Sequence, residues 1–255
     1  MAKGLFKYFS TDKDKLETFI SGHIYLTPPK FFNDPWDFLA RSEPWAKEHL
    51  EAEGFYGVPE LCADVNSPIN LGSGARDQQN GLSKLVGVVS LAEDPLNRLM
   101  WANYGDSHKG FVAQFRYAEK KTDASGFQTC MTPFGGAGKV DYKPEQILRK
   151  RDGANLREVF WTKHIDWKYE QEWRVIESLQ KANPHPNRAG FFMLKFEPTD
   201  LLRIIFGLRV CNQIETQLKQ MLERKEFGRV KIEKIMISQD GKELVSCACQ
   251  SNKSD

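Results

Sequence analysis

No apolar run in this 255-residue sequence approaches the roughly 20 residues that a membrane-spanning helix needs, which argues against a helical membrane protein. The opening MAKGLFKYFS has no apolar stretch of the kind a secretory signal carries, and it passes straight into a strand-like pattern. Excess charge is scarce too. A net charge of +2 gives no general case for a nucleic-acid or lipid partner. The five cysteines are odd in number, and no CxxC pair or Cys/His zinc spacing occurs. Cys247 and Cys249 stand close, but no further ligand is near them. The expectation is therefore reduced thiols, no disulfide framework, no metal site and a cytoplasmic location. Repeats and low-complexity tracts are lacking. PFGGAG at 133–138 lacks the GxGxxG spacing of a dinucleotide loop.

Aromatic residues are plentiful, at 12% within 40% hydrophobic residues, enough to bury one sizeable core. We expect a single domain over 1–255, with a loop or helical insertion at 42–82 and a frayed tail. The aromatics concentrate where acidic residues also concentrate. In WKYEQEWR (167–174), Glu170, Glu172 and Arg174 alternate, so one extended strand would point all three the same way and turn Trp173 and Val175 into a core. Like-charged neighbours beside an Arg are a means of setting one carboxylate's pKa apart from another's. The competing reading is a solvated, self-paired charged face.

In FFNDPWDF (31–38), Asn33 and Asp34 precede Pro35 and favour an Asx turn, which Phe31, Phe32, Trp36 and Phe38 would bury. Asn33, Asp34 and Asp37 would then sit on a stiff support, as binding groups or merely as caps of their own loop. The third cluster is MWANYGDSHKGF (100–111). Trp101 and Tyr104 share a helical face at i, i+3, and His108 falls in the turn before a strand, where its imidazole can face a cleft or simply bond a carbonyl.

Around these clusters the patterns predict strands at 5–10, 23–26, 84–91, 110–117, 139–142, 190–196, 203–208, 229–237 and 243–248. Helices are expected over 12–22, 95–104 (capped by Asp94), 155–165 and 212–227, with a long loop over 59–81.

In that order and spacing, the clusters together with KYFS, ISGHIYLTPP and RIIFG resemble the bacterial domain-of-unknown-function family 2971, from about residue 5 to about residue 237. The order of parts is also similar to that of ADP-ribosyltransferases: a first strand, a helix ending at Gly, a short Tyr-bearing strand and a late Glu-x-Glu strand. That resemblance implies an α+β fold of two small, largely antiparallel sheets meeting at a cleft with flanking helices. It implies NAD as substrate, Glu172 as the catalytic carboxylate, Glu170 as its partner and Tyr25 stacked on the nicotinamide. His108 would be a further catalytic group, with Asn33, Asp34, Asp37, Trp101, Tyr104 and Arg174 lining the nucleotide site. An early Arg or His is expected about where Phe9 stands, and Lys7 and His23 are the nearest cations.

Three functions follow as expectations. The first is an ADP-ribosyltransferase or NAD glycohydrolase acting on a protein, a nucleic acid, a small molecule or water, in the style of bacterial toxins and phage-defence effectors. The second is a non-enzymatic nucleotide-binding or sensing module. The third is a metal-dependent nuclease or phosphoesterase gathering Asp34, Asp37, His108, Glu170 and Glu172.

Overall fold

A computed structural model describes residues 4–38, 75–117, 121–122, 128–129, 134, 136–144, 156–180 and 182–249. The expected insertion falls outside these residues over 42–74, as does the tail after 249.

The chain opens with β1 (Gly4–Phe9), α1 (Lys13–Ile20) and β2 (His23–Leu26). Asp12 caps α1 by accepting from the Lys15 N–H at 3.0 Å. Gly22 follows the helix end at φ +83°, a backbone state that a side chain disfavours. Phe19 of α1 is fully buried and packs on Phe9, Phe111 and Phe196 with ring centroids 4.9, 5.1 and 5.4 Å away. β1 is covered on both faces. Leu5 and Phe9 join the core under α1, and Phe6 and Tyr8 join a second core around Trp101.

The helix α2 (Ala75–Leu85) precedes β3 (Val86–Ala92), so the long loop expected over 59–81 is helical from Ala75. Then come α3 (Arg98–Asn103) and β4 (Phe111–Arg116). The cap of α3 is Asn97, whose side chain accepts from the Leu99 and Met100 N–H groups, not Asp94, which folds a turn by accepting from Leu96. Short strands β5 (Lys121–Thr122), β6 (Gln128–Thr129), β7 (Gly138–Lys139) and β8 (Asp141–Lys143) follow. The helix expected over 155–165 is instead the shorter α4 (Leu156–Trp161), continued by β9 (Thr162–His164).

The central strand is shorter than expected as well. Residues Ile165–Glu170 form a 3-10 helix, Gln171 is left-handed at φ 46°, and only then does β10 (Glu172–Ser178) begin. The rest is β11 (Asn183–Pro184), β12 (Phe192–Lys195), β13 (Leu201–Phe206), α5 (Asn212–Leu222), β14 (Lys231–Ile237) and β15 (Leu244–Ala248).

The class is α+β, but the sheets are unequal. One sheet has eight strands in the order β15-β14-β13-β4-β1-β3-β10-β7, and a three-stranded sheet has the order β11-β12-β2. Among the described strand pairs of the larger sheet only β13 and β14 run parallel. Its middle is forked. β1 pairs with β4 along Gly4–Phe9, yet among the described residues it meets β3 at Phe6↔Ala92 alone. The other end of β3 is bridged to the small sheet through Thr27↔Val88.

Two glycines of the sequence clusters sit where chain segments nearly touch. A Cβ on Gly110 would lie 1.9 Å from the Phe9 carbonyl oxygen, and one on Gly207 would lie 2.2 Å from that of His108.

Candidate active site

The fork between β1 and β3 opens into a cavity of about 400 Å³. β1 supplies Lys7 and Tyr8, β3 supplies Ser90 and Ala92, and α1 supplies Lys15. Tyr104, Lys163, Glu170 and Glu172 form the wall backed by the ion network, and Phe31, Phe32 and Asn33 complete the lining.

Behind that wall lies a buried ion network. Arg174 is fully buried and donates all five of its N–H groups. Nε and Nη2 bond the two Glu172 oxygens at 2.9 Å each. Nη1 and Nη2 bond the two Asp37 oxygens at 3.0 and 2.5 Å, and Nη1 also reaches the Phe160 carbonyl at 2.9 Å. Lys163 Nζ lies 2.6 Å from Glu170 Oε2, 3.3 Å from Glu172 Oε2 and 3.6 Å from Asp37 Oδ2. Tyr104 donates its hydroxyl to Glu170 Oε1 and accepts from Asn33 Nδ2 at 2.8 Å. The Glu172 N–H bonds the Tyr142 hydroxyl at 2.8 Å.

Three carboxylates face two cations, so full ionisation would leave one negative charge out of water. The groups resolve this by separating. Burial alone would raise Glu172, but Arg174 and Lys163 outweigh it and hold the carboxyl at about 2. Burial raises Glu170 more than Lys163 lowers it, with the charge of Glu172 adding to the rise. Asp37 is likewise pushed up by burial against the pull of Arg174. Burial would lower Lys163, yet the three carboxylates keep it protonated. Tyr104 is raised by burial and then by Glu170, so it stays a donor. Two carboxylates on one cavity wall thus differ in character: a fixed anion and a group able to carry a proton.

The expected site residues divide. Glu170, Glu172, Tyr104 and Asn33 line the cavity; Asp37 and Arg174 stand directly behind it. Glu170 arrives from a 3-10 helix end and not from a shared strand face. The others lie elsewhere. Tyr25 is buried against His185, stacked at 5.0 Å with its hydroxyl 3.0 Å from Nε2. Asp34 closes its own turn by accepting from the Trp36 N–H at 3.0 Å. Trp101 is fully buried in the second core, donating to the Pro95 carbonyl at 2.8 Å. His108 stacks on Trp101 at 5.9 Å, with Nδ1 buried and unbonded. Trp101 lies wholly within that core, whereas Tyr104, the residue that ends α3, packs against the core's edge and extends its hydroxyl to Glu170.

Missed from the sequence were Lys15, Ser90 and the aromatic side formed by Phe31 and Phe32. Lys163 carried one signal, its nearness to the Glu pair. The carboxylates do converge, but on Lys163 and Arg174. Among the described residues no group of three His, Cys, Asp or Glu side chains is placed to hold a metal ion.

Fold and site define an α+β protein with a ligand-sized cavity in a forked sheet, walled on one side by a buried ion network. No described helix is long and apolar enough to cross a membrane. A family model described as a protein of unknown function, DUF2971, matches residues 100–175. That span runs from α3 into β10, taking in Tyr104, Lys163, Glu170, Glu172 and Arg174, while FFNDPWDF lies outside it. No curated protein matches, and no solved structure matches.

Proposed function

We propose that the cavity binds NAD and that Glu172 promotes cleavage of the nicotinamide N-glycosidic bond, transferring ADP-ribose to an acceptor or to water. The carrying observation is a buried carboxylate kept ionised by Arg174 and Lys163 while it still faces a cavity. As the C–N bond breaks, its electron pair leaves with neutral nicotinamide, and positive charge gathers on the ribosyl carbon. A preorganised anion in a site shielded from water stabilises that charge. An attacking hydroxyl must lose a proton, and Glu170, with its raised pKa, is the group on the same wall able to exchange one. Phe31, Phe32 and Tyr104 form the aromatic side against which a nicotinamide ring would pack, in place of Tyr25.

Nicotinamide release from NAD, measured for wild type and Glu172→Gln with melting curves to confirm folding, tests this. Wild type is expected to release nicotinamide with or without EDTA, and Glu172→Gln to lose roughly 10²-fold or more. Release that is equal in both proteins sinks the role of Glu172, and release that needs a metal points to the hydrolase.

One observation favours binding without turnover. Both oxygens of Glu172 already accept from Arg174, which suits a rigid wall as well as a catalyst. NAD bound by wild type with no nicotinamide formed would establish that second reading.

A further inference from the structure

Lys7 and Lys15 are two half-buried cations lining the cavity, and among the described residues neither is in a salt bridge. The acids closest to Lys15 in sequence are spent elsewhere: Asp12 and Asp14 face Arg188 at 3.6 and 3.9 Å. The helix start contributes nothing spare at this point, because the Lys15 N–H is bonded to Asp12. Lys7 Nζ has three donors and makes one bond, to the Ser90 carbonyl at 3.2 Å. Burial and the neighbouring Lys15 both press Lys7 to lose its proton, down to about 8, with only partial relief from Glu172. Two unpaired cations held together out of full solvent are costly unless an anion joins them.

We propose that Lys7 and Lys15 clamp a phosphate group, with the Ser10 hydroxyl beside them. The occupant is a phosphorylated sugar or nucleoside whose ring hydroxyls reach Glu170 and Glu172. A phosphate suits the place because it offers three acceptor oxygens and up to two negative charges to two cations. The same cavity holds the carboxylates of Glu170 and Glu172, acceptors that recognise hydroxyls and repel a second anion. This deepens the NAD reading by naming where the phosphate goes, and it rests on that reading for the identity of the whole ligand.

The test uses ribose 5-phosphate, which has no nicotinamide bond, with ribose as the neutral control. Binding is followed by calorimetry and by the shift of the melting temperature. Wild type is expected to bind ribose 5-phosphate saturably and more tightly than ribose. Lys7→Gln and Lys15→Gln should each weaken it at least about tenfold, the worth of one charge-assisted hydrogen bond. Lys13→Gln, on the exposed side of α1 against Glu17, should leave binding unchanged. Melting curves of the variants without ligand report their folding, and Lys15 serves where loss of Lys7 disturbs the sheet. Equal affinity across all four proteins, or no saturation by ~10 mM, overturns the subsite. Lysine-dependent binding without nicotinamide release from NAD keeps the subsite and removes the glycosidic chemistry. Nicotinamide release that ignores both lysines does the reverse.

Discussion

At the residue scale, the two glutamates of EQE are distinguished by what each touches. Glu172 accepts two Arg174 bonds and stays charged; Glu170 accepts from Tyr104 and Lys163 but has no guanidinium bond to offset its burial. Their titrations should act on stability with opposite signs. The folded pKa of Glu172 is depressed, so its contribution is present above the ordinary value of 4.5 and is lost as pH falls toward about 2. The folded pKa of Glu170 is raised, so above 4.5 the folded state binds the extra proton and stability declines as pH rises. Glu170→Gln should therefore gain in melting temperature relative to wild type as pH rises above 4.5, whereas Glu172→Gln should lag wild type by a margin that shrinks as pH falls from 4.5 toward about 2. Parallel melting curves across that range check it, and a Glu170→Gln curve that falls further behind with rising pH contradicts the assignment. Lys7 carries a pH signature of its own. Phosphate binding should weaken as pH climbs through about 8 in wild type, as Lys7 loses its proton beside Lys15 and Glu172. A flat profile would show Lys7 charged throughout.

At the element scale, a single backbone reversal does what a strand was expected to do. Gln171 at φ 46° separates the 3-10 helix Ile165–Glu170 from β10, and it returns Glu170 beside Glu172. An exposed residue with a side chain in the left-handed region is held there at a cost of about 1 kcal/mol. Gln171→Gly should stabilise the protein by up to about 1 kcal/mol, less what glycine gains in unfolded-state entropy. Gln171→Val should destabilise it and disturb Glu170. Urea unfolding of the pair decides, and equal stability would mean that the turn is held by its surroundings alone. The close approaches at Gly110 and Gly207 make a parallel case. The Cβ of an alanine at either site would meet a backbone carbonyl, and the strand ends would have to shift, at about 1–3 kcal/mol.

At the scale of the whole molecule, the network ties together segments far apart in sequence. Asp37 comes from the early aromatic loop, Lys163 from β9, and Glu172 and Arg174 from β10, all nearly out of solvent. Removing one partner leaves bare charge behind. Arg174→Met is expected to cost about 3–5 kcal/mol in chemical denaturation. Adding Asp37→Asn and Glu172→Gln to it should recover part of that loss, since neutral groups replace the stranded carboxylates. If the triple variant is as unstable as the sum of its parts, packing of the Arg174 side chain against Phe38, 4.6 Å away, outweighs its charge.

Much of the chain's local structure was legible in its sequence because local rules govern it. The places of α1 and α5, most strands and the self-capping turn at Asp34 all follow from neighbours a few residues apart. So did the crowding of acidic and aromatic residues that marks the site: Glu170, Glu172, Asp37, Arg174, Tyr104 and Asn33 do gather at the cavity. What the sequence could not decide depends on contacts across long separations. Periodicity does not distinguish Trp101, drawn into a core between Tyr8 and His108, from Tyr104, turned into a cavity one helical turn later. Nor does it say that Tyr25 belongs to His185, 160 residues away. A left-handed Gln171 leaves no compositional mark, so a run of alternating charges read as a single strand. The fork between β1 and β3 arises only when both strands find other partners, β4 on one side and the small sheet on the other. It is that fork, a property of the assembled sheet, which makes Lys7 and Lys15 neighbours of the glutamates.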